Sequence, residues 1–189
     1  DVIVPSGRAR YVGVSNFMAW RLARLIGRAE LHRLVRPVSL QPRYNLLFRQ
    51  AERELLPLAQ EEGLAVIPYN PLAGGVLTGK YQPGTAPQEG TRFTLGKAAR
   101  LYQDRYWHER ELQTAVELQA LARAHGQPLT QVAVAWVLAQ PGITSAIVGA
   151  SRPEQLEDSI AAASLALPPD LLRELDEVTR EYRRGDATR

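Results

Sequence analysis

The stretch Leu64-Ala-Val-Ile-Pro-Tyr-Asn-Pro-Leu-Ala-Gly-Gly-Val-Leu-Thr-Gly-Lys-Tyr81 decides how the rest of the chain is read. Its apolar run, Leu64 to Ile67, has the length of a buried strand and no room for a helix. Pro68-Tyr69-Asn70-Pro71 ends that run, because prolines flanking an asparagine impose an extended and then turning backbone. Gly74-Gly75 lets the main chain come close to a ligand, and Gly79-Lys80 closes the loop. A buried parallel strand feeding a glycine loop is where α/β proteins hold phosphorylated ligands.

Working outward, Arg8 to Asn16 reads as a strand, with Ser15 and Asn16 as candidate N-caps for a helix from Met18 to Leu31. Val38 to Gln41 is a second short strand stopped by Pro42, and Gln50 to Glu62 is an amphipathic helix with Gly63 at its C-cap. Gln82 to Tyr106 is polar and reads as a loop or lid that orders on a ligand. Helices are expected over His108 to His125 and Leu129 to Ala139, the latter apolar on most of its circumference. Ile143 to Val148 is a fourth strand, followed by a helix to about Ser164 in which Ser151 and Glu154 have capping-box spacing. A last helix, Pro168 to Arg180, precedes a polar tail expected to fray. Alternating apolar strands and helices predict an α/β unit with a parallel sheet, and residues 1–189 read as a single unit. Four βα units are half of an eight-fold barrel, or an open doubly wound sheet; the G-x-G-x-x-G of the latter is missing.

Composition narrows the function classes. The chain has 189 residues, 45% of them hydrophobic, which is ample for a core. A formal charge of +3 spread among acidic residues does not imply a nucleic-acid partner. The absence of cysteine excludes disulfides and thiolate chemistry and suits a reducing, cytoplasmic setting. No apolar run reaches the roughly 18 residues of a membrane helix, so no membrane partner is expected.

Gly74 to Lys80 fits the G-x-x-x-x-G-K phosphate loop, but Tyr81 stands where a magnesium-binding hydroxyl belongs, which argues against nucleotide-triphosphate hydrolysis. The strand ends say more: Ser15-Asn16, Gln41, Tyr69 and Gly149-Ala-Ser-Arg152. The amide and hydroxyl groups can pair with a carboxamide, and Tyr69 offers a flat ring for a planar heterocycle. Arg152 beside a helix start suits a phosphate. The bland alternatives are a cap at Ser15 or Asn16, a core ring at Tyr69 and a structural capping box at Ser151. His32, His108 and His125 fall in or beside helices, and no strand ends in a carboxylate, so neither a catalytic residue nor a metal site is assigned.

Four motifs in order resemble the aldo-keto reductase superfamily, in its bacterial branch related to the potassium-channel β subunit. They are Arg10-Tyr-Val-Gly-Val-Ser-Asn-Phe17, Gln41-Pro-Arg-Tyr-Asn45, Pro68 to Tyr81, and Gly149-Ala-Ser-Arg-Pro-Glu-Gln-Leu156. The resemblance implies the C-terminal half of a (β/α)8 TIM barrel, with extra C-terminal helices, that binds NADP(H) and reduces aldehydes and ketones. It implies that Ser15, Asn16 and Gln41 hold the nicotinamide carboxamide and that Tyr69 stacks on the ring. Asn70, Pro71, Leu72, Ala73, Gly75 and Lys80 would line the pyrophosphate under the segment carrying Arg92. Gly149, Ser151, Arg152 and Gln155 would take the adenosine and its 2′-phosphate. Asp158-Ser159 replaces the family's usual Glu-Asn, leaving Asp158 to accept from the adenine amine.

The family's Asp, Tyr, Lys and His tetrad lies on strands that would precede this sequence. Asp1-Val-Ile-Val-Pro-Ser-Gly7 reads as the end of a helix and a turn, so the expectation is a piece whose catalytic N-terminal half lies elsewhere. That half-barrel, or self-association, would be needed to close the sheet, with a small carbonyl compound as substrate. The alternative reading is a non-catalytic NADP(H)-binding or regulatory half-barrel.

Overall fold

The computed structural model describes residues 2–186. Three short parallel strands, β1 (Gly13–Ser15), β2 (Ser39–Gln41) and β3 (Ala65–Val66), lie in chain order. Val14 is in register with Leu40, and Leu40 with Val66. Between them run α1 (Ala19–Leu31) and α2 (Leu55–Glu61). The apolar spacing of α1 turns Leu22, Ile26 and Ala29 into the core. Gly63 ends α2 with φ +63, its N–H bonding to the Gln60 carbonyl while the Leu64 N–H reaches Ala59, so the chain enters β3 at once. The expected helix from Gln50 is divided into a 3₁₀ turn, Gln50–Glu52, and α2. Pro57 accounts for this, since it has no N–H to donate and is tolerated only in a helix's first turn.

The fourth strand is a correction. Ile143 to Val148 forms only isolated parallel bridges, Val66 with Ile143 and Tyr69 with Ile147. Here the Val66 N–H donates to the Thr144 hydroxyl at 3.1 Å instead of to a carbonyl, and Pro68 has no N–H. Pairing nevertheless resumes beyond the strand-ending prolines, where Arg43 bridges Tyr69.

The second correction is the segment expected to be a lid. Residues 99–106 form a helix, α3 (Ala99–Tyr106), and the loop before it has its own aromatic core. Tyr81, Phe93 and Trp107 pack edge-on or tilted, with centroids 4.7–5.4 Å apart. The Trp107 indole also donates to the Thr85 carbonyl at 3.2 Å. These aromatics are too far apart in sequence to show a periodicity.

The remaining helices are α4 (Glu109–Ala124), α5 (Leu129–Leu138), α6 (Glu154–Ala161) and α7 (Pro169–Thr179). As its composition predicts, α5 is the central helix, with residues from Val132 to Val137 all buried. It carries Trp136 into the main core while Val134 and Ala135 meet Ala162 after α6. Among the described residues no helix is long and apolar enough to cross a membrane.

The tail expected to fray after Arg180 is docked as far as Asp186, the last residues lying outside those described. Tyr182 is fully buried, and its carbonyl accepts from the Arg49 N–H at 2.9 Å. Arg49, itself 2% exposed, grips Glu52 with two N–H bonds of 2.7 and 2.9 Å and Asp176 of α7 with one of 2.6 Å. Its remaining nitrogen reaches Thr179 at 2.8 Å, and its guanidinium lies 5.0 Å from the Trp136 ring. Arg183 closes the cluster on both carboxylates at 2.8 Å, and the Tyr44 hydroxyl donates to Glu52 at 2.7 Å.

Burial alone would raise the carboxyls of Glu52 and Asp176, but the Arg49 hydrogen bonds and charge outweigh it and hold both below their ordinary values of 4.5 and 3.8. A depressed folded-state value adds stability above the ordinary value and loses it as pH falls through the folded one. Thermal unfolding should therefore show a melting temperature that drops below about pH 4, and Glu52→Gln should flatten that drop. Arg49→Met should cost about 3 kcal/mol in denaturant titrations at neutral pH, because it removes the buried partner of two carboxylates and leaves Arg183 as their remaining cation in the cluster. An unchanged midpoint in that variant would show that the cluster is decorative.

Candidate functional site

The C-terminal ends of β1, β2 and β3 are joined by a row of side-chain hydrogen bonds. The Tyr69 hydroxyl donates to Asn16 Oδ1 at 2.9 Å, Asn16 Nδ2 donates to Ser15 Oγ at 3.1 Å, and the Ser15 hydroxyl donates to the Gln41 carbonyl at 2.8 Å. The Asn16 backbone N–H reaches the same carbonyl at 3.3 Å. Ser15 and Asn16 are therefore not helix caps: α1 begins at Ala19, with Met18 at its N-cap and no side-chain cap bond. Asn16 has φ +56, a left-handed turn that asparagine tolerates, and this bends its amide back over the strand ends. Ser15, Asn16 and the Gln41 side chain are exposed, so the row retains amide capacity for a ligand.

Beyond Tyr69 the backbone is unusual. Asn70, Ala73, Gly74, Gly75 and Gly79 all have positive φ, at +59, +49, +69, +106 and +75. For Ala73 this costs on the order of 1 kcal/mol, and it persists because the residue is wholly buried. The turn is fastened by N–H bonds from Ala73 to the Asn70 carbonyl and from Gly75 to the Leu72 carbonyl, 2.9 and 2.8 Å. Asn45, fully buried, donates to the Asn70 carbonyl at 2.9 Å and to the Tyr106 hydroxyl at 3.2 Å, and Tyr102 donates to Asn70 Oδ1 at 3.3 Å. Sequence reasoning gave Asn45, Tyr102 and Tyr106 no role at the site. The signal for Asn45 is its place two residues after Arg43 in the second motif; Tyr102 and Tyr106 lie on the unanticipated α3 and carry none.

Pro71 and Ala73 are buried, Leu72 and Gly75 half-buried and Lys80 exposed, with its ammonium 4.9 Å from the Tyr81 ring. Arg92 is brought to the same loop, its guanidinium 5.2 Å from Tyr102, whose ring would meet a Cβ on Gly74. Gly149, Ser151, Arg152 and Gln155 form an exposed turn at the start of α6. The capping box expected there is replaced: Gln155 Oε1, not Glu154, accepts from the Ser151 N–H and hydroxyl, at 2.9 and 3.1 Å. Asp158 accepts from Gln131 at 2.9 Å, and Ser159 is buried.

The row borders a cavity of about 380 Å³ lined by Asn16, Trp20, Arg43, Phe48, Tyr69 and Arg105. A larger groove, about 510 Å³, runs along the outer side of β1 and α1 and is lined chiefly by apolar residues such as Ile3, Val12, Phe17 and Leu25. It lacks the converging polar groups of the strand ends, which are the chemically equipped site. The three histidines sit at helix ends, and among the described residues no acidic or histidine cluster could hold a metal.

The family model for the aldo/keto reductase family matches residues 2–180. The chain is 39% identical over 175 residues to an uncharacterized oxidoreductase, YrpG, of Bacillus subtilis, covering 93% of this chain and 50% of that protein. It is 34% identical to a probable voltage-gated potassium channel subunit beta of Arabidopsis thaliana, covering 94% and 55%. It is 35% identical to L-glyceraldehyde 3-phosphate reductase of Escherichia coli O157:H7, covering 92% and 50%. The chain thus spans about half the length of these relatives.

The glycine turn can be tested directly. A Cβ on Gly74 would lie 2.8 Å from Tyr102 and 3.2 Å from Phe93 at φ +69, whereas one on Gly149 meets nothing within 4 Å. Gly74→Ala should destabilise by about 1–3 kcal/mol and perturb Trp107 fluorescence, while Gly149→Ala should be near neutral in the same denaturation series.

Proposed function

Because the chain belongs to the aldo/keto reductase family, we propose that it is the cofactor-holding half of an NADP(H)-dependent carbonyl reductase. The observation that carries this reading is the Tyr69–Asn16–Ser15–Gln41 row. Its hydrogen bond to Asn16 fixes the tilt of the Tyr69 ring before any ligand arrives, which is the preorganisation a stacking platform needs. Asn16, Ser15 and Gln41 would hold the nicotinamide carboxamide. The left-handed turn from Asn70 to Gly79, with Lys80 and Arg92, would take the pyrophosphate. Gly149, Ser151, Arg152, Gln155, Asp158 and Ser159 would hold the adenosine end. The fit is good at the turn, where Asn70 Nδ2 is buried without a partner and backbone at positive φ leaves the main chain open to close approach. It is looser at α6, where Asp158 already serves Gln131.

Bound there, NADPH supplies the hydride that reduces a carbonyl carbon. No imidazole or carboxylate joins the row, so the proton for the carbonyl oxygen is assigned to a tetrad outside this chain. We read the sheet as half of a (β/α)8 barrel, residues 1–189 forming one unit. Among the described residues β1 is paired on one side only, and the apolar groove lies along its free side. An N-terminal half-barrel is the partner that reading calls for, with a second copy as the other candidate. The same lack of an acid favours one further reading, a non-catalytic NADP(H)-binding half-barrel.

In fluorescence titrations NADPH should bind saturably, and Tyr69→Ala should weaken it about tenfold, as loss of one stacking platform implies. Arg152→Ala should weaken NADPH more than NADH, since only the former carries the 2′-phosphate. Failure of the chain to bind either nucleotide would falsify the cofactor reading. Binding without aldehyde reduction, even after an N-terminal half-barrel is supplied, would select the non-catalytic reading.

A further inference from the structure

One wall of the strand-end cavity is assigned no part in the cofactor reading. Arg43 and Tyr69 are parallel bridge partners, so their side chains leave the sheet on the same face, and both line the cavity. Arg43 is 6% exposed, with its guanidinium 3.3 Å from the centre of the Phe48 ring and 5.7 Å from that of Tyr106. One of its terminal nitrogens, Nη2, donates to the carboxylate of Asp186. The other, Nη1, is buried and has no hydrogen-bond partner. A guanidinium is shaped to receive an oxyanion on two parallel N–H donors, and here one donor is idle. The other is taken by a carboxylate that is itself 67% exposed, near the chain end.

The surroundings reinforce this charge. Arg53 and Arg105 also line the cavity, against one carboxylate, Glu54. Trp20 and Phe48 supply flat apolar faces beside them. Such a cavity repels cations and has little to offer a neutral polar molecule at the Arg43 end.

We propose that this cavity takes the oxyanion of a small substrate, a carboxylate or a phosphate, on Arg43. Asp186 holds that place as a built-in competitor which the substrate displaces. The assignment rests on Tyr69 being the cofactor platform, and it then names the substrate class: a short carbonyl compound with an acidic group at its far end.

Glycerol, glycerate and glycerol 3-phosphate share a skeleton and differ in the anion, so they are the probes, titrated calorimetrically into the full chain. Glycerate or glycerol 3-phosphate should bind and glycerol should not; whichever anion binds more tightly identifies the group. Arg43→Gln should weaken that binding at least about tenfold. Asp186→Asn, at an exposed position, should tighten it several-fold because it removes the competitor. Saturating NADPH should leave the anion's affinity unchanged or improve it. If the chain fails to bind NADPH yet binds the anion through Arg43, the cofactor reading falls and the oxyanion site stands. Equal response to glycerol, indifference to Asp186→Asn, or displacement of the anion by NADPH would each overturn the proposal.

Discussion

A single buried guanidinium ties the strand side of this chain to its C-terminal helix. Arg49 sits under Trp136 of the central helix and reaches Glu52 beside the sheet and Asp176 and Thr179 on α7. Removing an ion from water costs several kcal/mol, and only near-complete coordination offsets that. Arg49 meets the condition, since each of its side-chain nitrogens donates at least one bond. The consequence is positional. With α7 locked to the loop after β2, the 3₁₀ turn Arg180–Arg184 is held down and Asp186 is delivered to Arg43 at the cavity.

The site inherits its precision from a second constraint, the prolines that end β2 and β3. Pro42 and Pro68 have no N–H, so the ladder cannot continue as an ordinary sheet. The chain bends, and Tyr69 is left bridged to Arg43 while its hydroxyl finds Asn16. The strained Ala73 and the glycines that follow are affordable because Asn45, Tyr102 and Tyr106 anchor Asn70 from below. Strain at a turn with a buried support is what a ligand cradle looks like physically. The row uses Tyr69, at the entry to this turn, and the oxyanion role is proposed for Arg43, the bridge partner of Tyr69.

Much of the architecture was legible because it rests on local chemistry. The apolar face of α1, the apolar sweep of α5 and Gly63 after α2 each express a preference of nearby residues, and each element formed. The failures share the opposite character. Ser15 and Asn16 have the side chains of caps, yet the pull of Tyr69 and the Gln41 carbonyl from other strands drew them into the row. Ser151 had Glu154 at capping-box spacing, but Gln155 reached it first. The segment before Trp107 is polar enough to read as a lid, and three dispersed aromatics made it a packed layer. Ile143 to Val148 looked like a strand until the Thr144 hydroxyl took the Val66 N–H.

The sequence by itself determined the first three strands, most of the helices, the glycine turn and the candidates at the strand ends, since periodicity, glycine and proline act over a few residues. It also carried, through four ordered motifs, the membership in the aldo/keto reductase family that residues 2–180 bear out. Only the tertiary structure decided which polar groups meet. Arg49 with Asp176, Tyr69 with Asn16 and Arg43 with Asp186 are separated by 127, 53 and 143 residues. No local rule links such partners; they are chosen by where the packed core leaves a buried donor and an acceptor within reach of each other.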